Sequence, residues 1–121
     1  MSLSVKFYTQ KNNIFIRFIG ELDQENIGNL RDKLIEIIKE RNIKNVVFNM
    51  KELTFMDSTG IGIIIGRYNQ VKQRKGKVLL CNLNRNVEKI VLLSGLQRIC
   101  LIIENEDEAK KTLEDLECLM S

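Results

Sequence analysis

An α/β fold with a mixed, mostly parallel sheet is predicted for this chain from three observations. Near the start, an alternating stretch around Val5 and Phe7 and an apolar stretch from Ile14 to Ile19 flank the turn-forming Lys11-Asn12-Asn13. That is the pattern of a β-hairpin. Further on, Val46-Val47-Phe48, Val78-Leu79-Leu80-Cys81 and the segment Ile99 to Ile103 form compact apolar runs. Runs without polar alternation suit parallel strands covered on both faces. Between and after them, apolar residues recur at helical spacing. A hairpin followed by α-β-α-β-α-β-α predicts one domain, residues 1–121, with its sheet covered by helices.

Each element has its own signals. Val5, Phe7 and Thr9 alternate in the first strand, and the second pairs with it antiparallel until Gly20 ends it. Asp23 reads as the N-cap of a helix over 24–41, with Ile27, Leu30, Leu34, Ile37 and Ile38 inward. A buried strand over 43–50 follows. Ser58 reads as the N-cap of the next helix, which runs to about Arg74 with Ile61, Ile64, Ile65, Tyr68 and Val71 as its buried stripe. Gly62 and Gly66 lie inside that helix, where each costs about 1 kcal/mol of propensity relative to alanine. Close packing against the sheet is the structural expectation for this pair. Gly76 is expected to end the helix in the left-handed conformation. A strand over 77–83 and a helix from Arg85 to Ser94, stopped by Gly95, come next. After the last strand, Asn105 and Glu108 make a capping box for a final helix with Ala109, Leu113 and Leu116 inward.

Composition narrows the function. The 121 residues are 44% hydrophobic and 29% charged, with a net charge of +3 from 19 basic and 16 acidic side chains. So small a surplus, spread along the chain, gives no nucleic-acid footprint. The basic cluster Lys72 to Lys77 suits a solvated helix C-terminus, where cations complement the dipole. Cys81, Cys100 and Cys118 have no metal-type spacing, which suits reduced thiols in the cytoplasm. No apolar run approaches the roughly 18 residues of a membrane span, and the first residues lack a signal-peptide pattern.

The segment Phe55 to Tyr68 concentrates what chemistry there is. Asp57, Ser58 and Thr59 place three oxygen-bearing side chains before Gly60 at a helix start. An enzyme would need Ser58 or Thr59 as nucleophile, yet the chain has no histidine to activate either. It also lacks a GxSxG elbow, an SxxK pair and a complete phosphate loop, Gly60-x-Gly62 being only a fragment of one. Asp23 and Asp57 are an insufficient metal site and suit capping. No catalytic residue, metal or cofactor is therefore expected. A serine at an exposed helix N-terminus is, however, a favourable place for a phosphate, because the N–H groups and the positive dipole end stabilise an anion there.

The motifs Gly20-Glu21-Leu22-Asp23, Leu53-Thr54-Phe55-Met56-Asp57-Ser58-Thr59-Gly60-Ile61-Gly62, Gly66-Arg67-Tyr68 and Ser94-Gly95-Leu96 closely resemble the STAS domain family. Within it they resemble the bacterial anti-sigma factor antagonists, nearest the sporulation group. The resemblance runs from residue 3 to about residue 118, and its specific part is Asp-Ser-x-Gly-x-Gly. It implies a STAS fold and a partner-switching role. The unphosphorylated antagonist would bind an anti-sigma factor that is also a GHKL-type serine kinase, carrying ATP or ADP, and so release a sigma factor. Phosphorylation of Ser58 would switch the antagonist off, and a PP2C-type phosphatase would restore it. The resemblance implies a docking surface of Glu21, Leu22, Asp23, Asp57, Ser58, Thr59, Gly60, Ile61, Gly62 and Arg67, with Glu21 to Asp23 in a loop. A soluble cytoplasmic monomer with no membrane or nucleic-acid contact is expected. Thr59 stands where sporulation antagonists tend to carry a second serine, which leaves it as the alternative acceptor. Two other functions remain to be separated from this one: a STAS scaffold or ligand-sensing subunit that is never phosphorylated, and an enzyme acting on a nucleotide or acyl ester.

Overall fold

The computed structural model describes residues 2–120. Strand β1 (Leu3–Gln10) and strand β2 (Asn13–Leu22) form the N-terminal hairpin, in register from Leu3↔Gly20 to Gln10↔Asn13. The turn places Lys11, rather than an asparagine, at positive φ (56°). Helix α1 (Leu30–Glu40) leads to strand β3 (Asn45–Met56), helix α2 (Ser58–Lys72) and strand β4 (Val78–Cys81). Helix α3 (Arg85–Ser94), a 3₁₀ turn (Leu96–Arg98), strand β5 (Leu101–Ile103) and helix α4 (Glu106–Met120) complete it. The sheet order is β1-β2-β3-β4-β5, with only the hairpin antiparallel. This is the mixed, mostly parallel α/β arrangement that the sequence predicts.

The two faces of the sheet are unequally covered. The larger core gathers Ile14, Ile16, Phe18, Val46, Phe48 and Leu80 beneath residues of α1, α2 and α3. The smaller one packs Phe15, Val47, Leu79 and Cys81 under Ala109 and Leu113 of α4. Leu113 and Ala109 thus take the inward places expected of them. A polar clamp closes the α4 side. The Glu106 carboxylate accepts from Arg17 Nε and Nη2 (2.8 Å each), Asn49 Nδ2 (2.6 Å) and the Tyr8 hydroxyl (2.9 Å). Arg17 is the chief reason that this carboxyl is held down at about 2. Burial, and then the Glu106 hydrogen bond, push the Tyr8 phenol above its ordinary value.

Four local expectations are corrected. The first helix starts at Leu30, not near Gln24, because Gly28 adopts φ +52° and the chain from Asp23 to Asn29 turns instead. Asp23 caps that turn, accepting from the Asn26 backbone N–H (2.9 Å) and side chain (2.8 Å). The third strand runs on to Met56, following β2 through two register shifts near Gly20 and burying Leu53 and Met56. Gly20, at φ +107°, lies within β2 rather than at its end, so Glu21 and Leu22 belong to the strand. At the end of α2, Lys75 rather than Gly76 takes the left-handed conformation (φ 60°). Gly76 is required for room instead, since a Cβ there would lie 1.7 Å from the Lys44 carbonyl oxygen.

Candidate functional site

The site is built where the parallel strands β2 and β3 end together. Their register places Glu21 opposite Phe55 and Leu22 opposite Met56. The Asp57 N–H then donates to the Leu22 carbonyl (3.3 Å), which continues the pairing one residue into the junction. Asp57, not Ser58, is the N-cap of α2: its Oδ1 accepts from the Thr59 N–H at 2.8 Å. Its other oxygen, Oδ2, accepts from the Gln24 N–H at 3.3 Å. One carboxylate therefore ties the helix start to the chain leaving β2. The Asn26 turn held by Asp23 stiffens that same chain.

Relieved of capping, Ser58 is the first residue of α2; its side chain is exposed and makes no hydrogen bond among the described residues. Thr59 is half-buried. At 3.6 residues per turn, Ser58 shares one helix face with Ile61, Gly62 and Ile65. Ile65 is 38% exposed, and Phe55, just before the junction, 47% exposed. A Cβ on Gly62 would meet nothing within 4 Å, and the same holds for Gly66. The expectation of close packing for this glycine pair is overturned: both leave open space on the outer side of the helix. The packing glycine is Gly60, where a Cβ would lie 2.4 Å from Met56 Cγ and 3.0 Å from Leu22 Cδ2.

The buried stripe of α2 is accordingly Gly60, Ile63, Ile64, Arg67 and Val71, whereas Ile61 and Tyr68 lie partly buried and Ile65 outward. Three residues of the expected docking surface are therefore internal. Leu22 is wholly buried, Gly60 is packed on it, and Arg67 is 4% exposed. Burial lowers the Arg67 pKa, and the neighbouring positive charge of Arg31 lowers it further. The surface that remains around Ser58 is Glu21, Asp23, Asp57, Thr59, Ile61 and Gly62. Phe55 and Ile65, which the sequence reading did not include, extend it.

Two contrasting effects of substitution follow from the glycines. Gly62→Ala is expected to stabilise the protein by about 0.5–1 kcal/mol, since it gains helix propensity and meets no obstacle. Gly60→Ala is expected to destabilise it by about 1–3 kcal/mol, because Leu22 and Met56 have no free space to yield. Urea denaturation of the two variants beside the wild type measures both.

Burial pushes the Cys81 and Cys100 thiols up to about 12, so both are protonated and unreactive at neutral pH. Among the described residues, no group of three or more His, Cys, Asp or Glu side chains could hold a metal ion. No described helix is long and apolar enough to cross a membrane.

Residues 4–109 match the STAS domain family. The chain belongs to that family. Among STAS relatives, the anti-sigma F factor antagonist of Paenibacillus polymyxa is 34% identical, across 94% of this chain and 97% of its own. The anti-sigma-B factor antagonist of Bacillus subtilis (strain 168) is 28% identical, across 82% of this chain and 89% of its own. The solved structure of the anti-sigma factor antagonist SpoIIAA in its unphosphorylated form superposes with a TM-score of 0.80 at 25% identity, covering 92% of this chain and 97% of that one. The fold of five strands and four helices thus matches that of SpoIIAA over nearly the full length of both chains.

Proposed function

We propose that this STAS protein is an anti-sigma factor antagonist controlled by phosphorylation of Ser58. Its unphosphorylated form binds an anti-sigma factor through the surface around Ser58, and the captured anti-sigma factor gives up its sigma factor. The anti-sigma factor is itself a GHKL-type serine kinase that uses ATP to phosphorylate Ser58, and a PP2C-type phosphatase removes the phosphate. The antagonist acts as a non-catalytic, cytoplasmic monomer. Sporulation is the favoured pathway, given the likeness to an anti-sigma F factor antagonist.

The observation that carries this reading is the division of labour between Asp57 and Ser58. Most serines at helix starts are spent on capping. Here Asp57 caps the helix, and Ser58 is left exposed with no structural task. Its exposure, against the half-buried Thr59, supports Ser58 as the acceptor. A phosphate on Ser58 would sit at the positive end of α2, which stabilises an added anion without unfolding the helix. It would add about −1.5 to −2 charges to a surface where a partner must dock closely. Open space at Gly62, with Ile61 and Ile65 on the same helix face, gives that partner an apolar seat.

The competing reading of a STAS scaffold that is never phosphorylated shares the fold and the surface. Ser58→Ala separates the two. The variant is expected to bind the cognate anti-sigma factor with wild-type affinity and to take up no phosphate from it. Full phosphate incorporation into the variant would overturn the assignment of Ser58.

A further inference from the structure

Arg67 comes nine positions after Ser58 and so lies half a turn out of phase, on the opposite side of α2. Its guanidinium is enclosed at the packing of α2 against α1, and Nε and Nη1 are both buried without a hydrogen-bond partner among the described residues. No carboxylate pairs with it; the two ion pairs among the described residues join Lys11 to Glu117 and Arg17 to Glu106. The charged neighbour it does have is Arg31, of the same sign, on the exposed first turn of α1. The start of α1 adds more positive potential, since its N-cap Asn29 makes no side-chain hydrogen bond to it. One turn beyond Arg67, Gln70 donates Nε2 to the Ile35 carbonyl at 3.0 Å, which joins the two helices, while its Oε1 is also buried without a partner.

A buried guanidinium, a second arginine and a helix start without a side-chain cap thus lie together; the first turn of α1 also carries Asp32, which is exposed and forms no ion pair with Arg67, so the buried charge itself is unbalanced. Water could satisfy the idle N–H groups, but it would leave the charge uncompensated. We propose that the crevice between α1 and α2 binds a small oxyanion of the inorganic phosphate class. Arg67 is its inner ligand and Arg31 covers the entrance. The Gln70 Oε1 accepts a hydrogen bond from the P–OH of a singly charged phosphate. Arg67 is only 4% exposed, so a group that reaches it would have to be small. The site is separate from the Ser58 surface and does not depend on its function.

The test is a titration of the purified full chain with inorganic phosphate at constant ionic strength, following the arginine Nε–H resonances by NMR and the thermal midpoint. The Arg67 resonance is expected to move saturably in the millimolar range, with chloride producing no such shift, and phosphate is expected to raise the midpoint. Arg67→Met, which keeps an apolar side chain at the helix contact, should lose the phosphate-dependent rise. Arg31→Ala, at an exposed position, should weaken phosphate binding about tenfold, a difference of about 1.4 kcal/mol. Ser58→Ala should leave it unchanged. An unsaturable Arg67 shift, an equal response to chloride, or a phosphate response that survives Arg67→Met would overturn the proposal. Tighter binding of ADP than of phosphate at the Arg67 resonance would overturn the choice of a small ion.

Discussion

Ser58→Asp is expected to weaken binding to the cognate anti-sigma factor at least 100-fold while leaving the fold intact. A 100-fold loss corresponds to about 2.7 kcal/mol. One charge desolvated at an interface without a partner is enough to supply it. The Asp57 carboxylate beside it is committed to the Thr59 and Gln24 N–H groups, so it has no means of rearranging to relieve the repulsion. Within the free protein the same substitution is mild. An anion in the first turn of α2 gains about 0.3–1 kcal/mol from the helix dipole. Isothermal titration against the anti-sigma factor, paired with a thermal melt, therefore separates the two effects. Weakened binding with an unchanged or slightly raised melting point is the expected result. Binding within a few-fold of wild type would show that the partner docks elsewhere.

The second large effect concerns Glu106 and acid. Its carboxyl is held at about 2, chiefly by Arg17, against an ordinary value of 4.5. A depressed acid contributes stability that is fully present above the unfolded value and is lost as pH falls through the folded one. The window is therefore from about pH 5 down to about pH 2. A shift of this size corresponds to about 3 kcal/mol, and the half-exposed Arg17 side chain reduces the expected net effect to about 2 kcal/mol. Glu106→Gln is expected to lose about that much at neutral pH and to flatten the pH dependence of stability within the window. Urea denaturation at successive pH values measures both slopes. Parallel curves for wild type and variant would show that the clamp contributes nothing.

Much of this molecule was legible in its sequence, and the exceptions share a cause. The hairpin, the parallel strands and the helix ends at Gly95 and Asn105 follow from apolar runs and cap residues, which are local signals. Asn105 does accept from the Glu108 N–H at 2.9 Å. The orientation of α2 was not legible, because Ile61, Ile63, Ile64 and Ile65 are all apolar and define no unique stripe. Only tertiary contact with Leu22 and Met56 decides that Gly60, Ile63, Ile64 and Arg67 face inward. The same ambiguity hid the roles of the glycines, since a packing glycine and an open one look alike in a sequence. At the junction, Asp57 and Ser58 are both good capping residues in adjacent places. The choice between them depends on where β3 ends, and its pairing with β2 carries it to Met56. The Glu106 clamp joins Tyr8, Arg17, Asn49 and Glu106 across 98 residues of chain, and no local pattern announces it. In the candidate site, the Asp57-Ser58 motif was visible, whereas the exposure of Ile65 appears only once the helix is oriented, and that of Phe55 only once β3 is seen to run on to Met56.

The open stripe below Ser58 links the fold to the switch. Helix α2 gives up propensity at Gly62 and Gly66, where a side chain would meet no obstacle. Bare backbone there would let a partner approach the helix closely, on the same side as the hydroxyl proposed to carry the signal. A phosphate on Ser58 would stand at the upper end of that seat, so a single group can both fit the free protein and exclude the bound one.

The most direct measurement is intact mass spectrometry of the chain after incubation with the cognate anti-sigma kinase and ATP, followed by peptide mapping. The expected result is one added phosphate, located on Ser58 and removed by a PP2C-type phosphatase. An unmodified mass under conditions where the two proteins bind, or a phosphate located on Thr59, would contradict the assignment of the switch to Ser58.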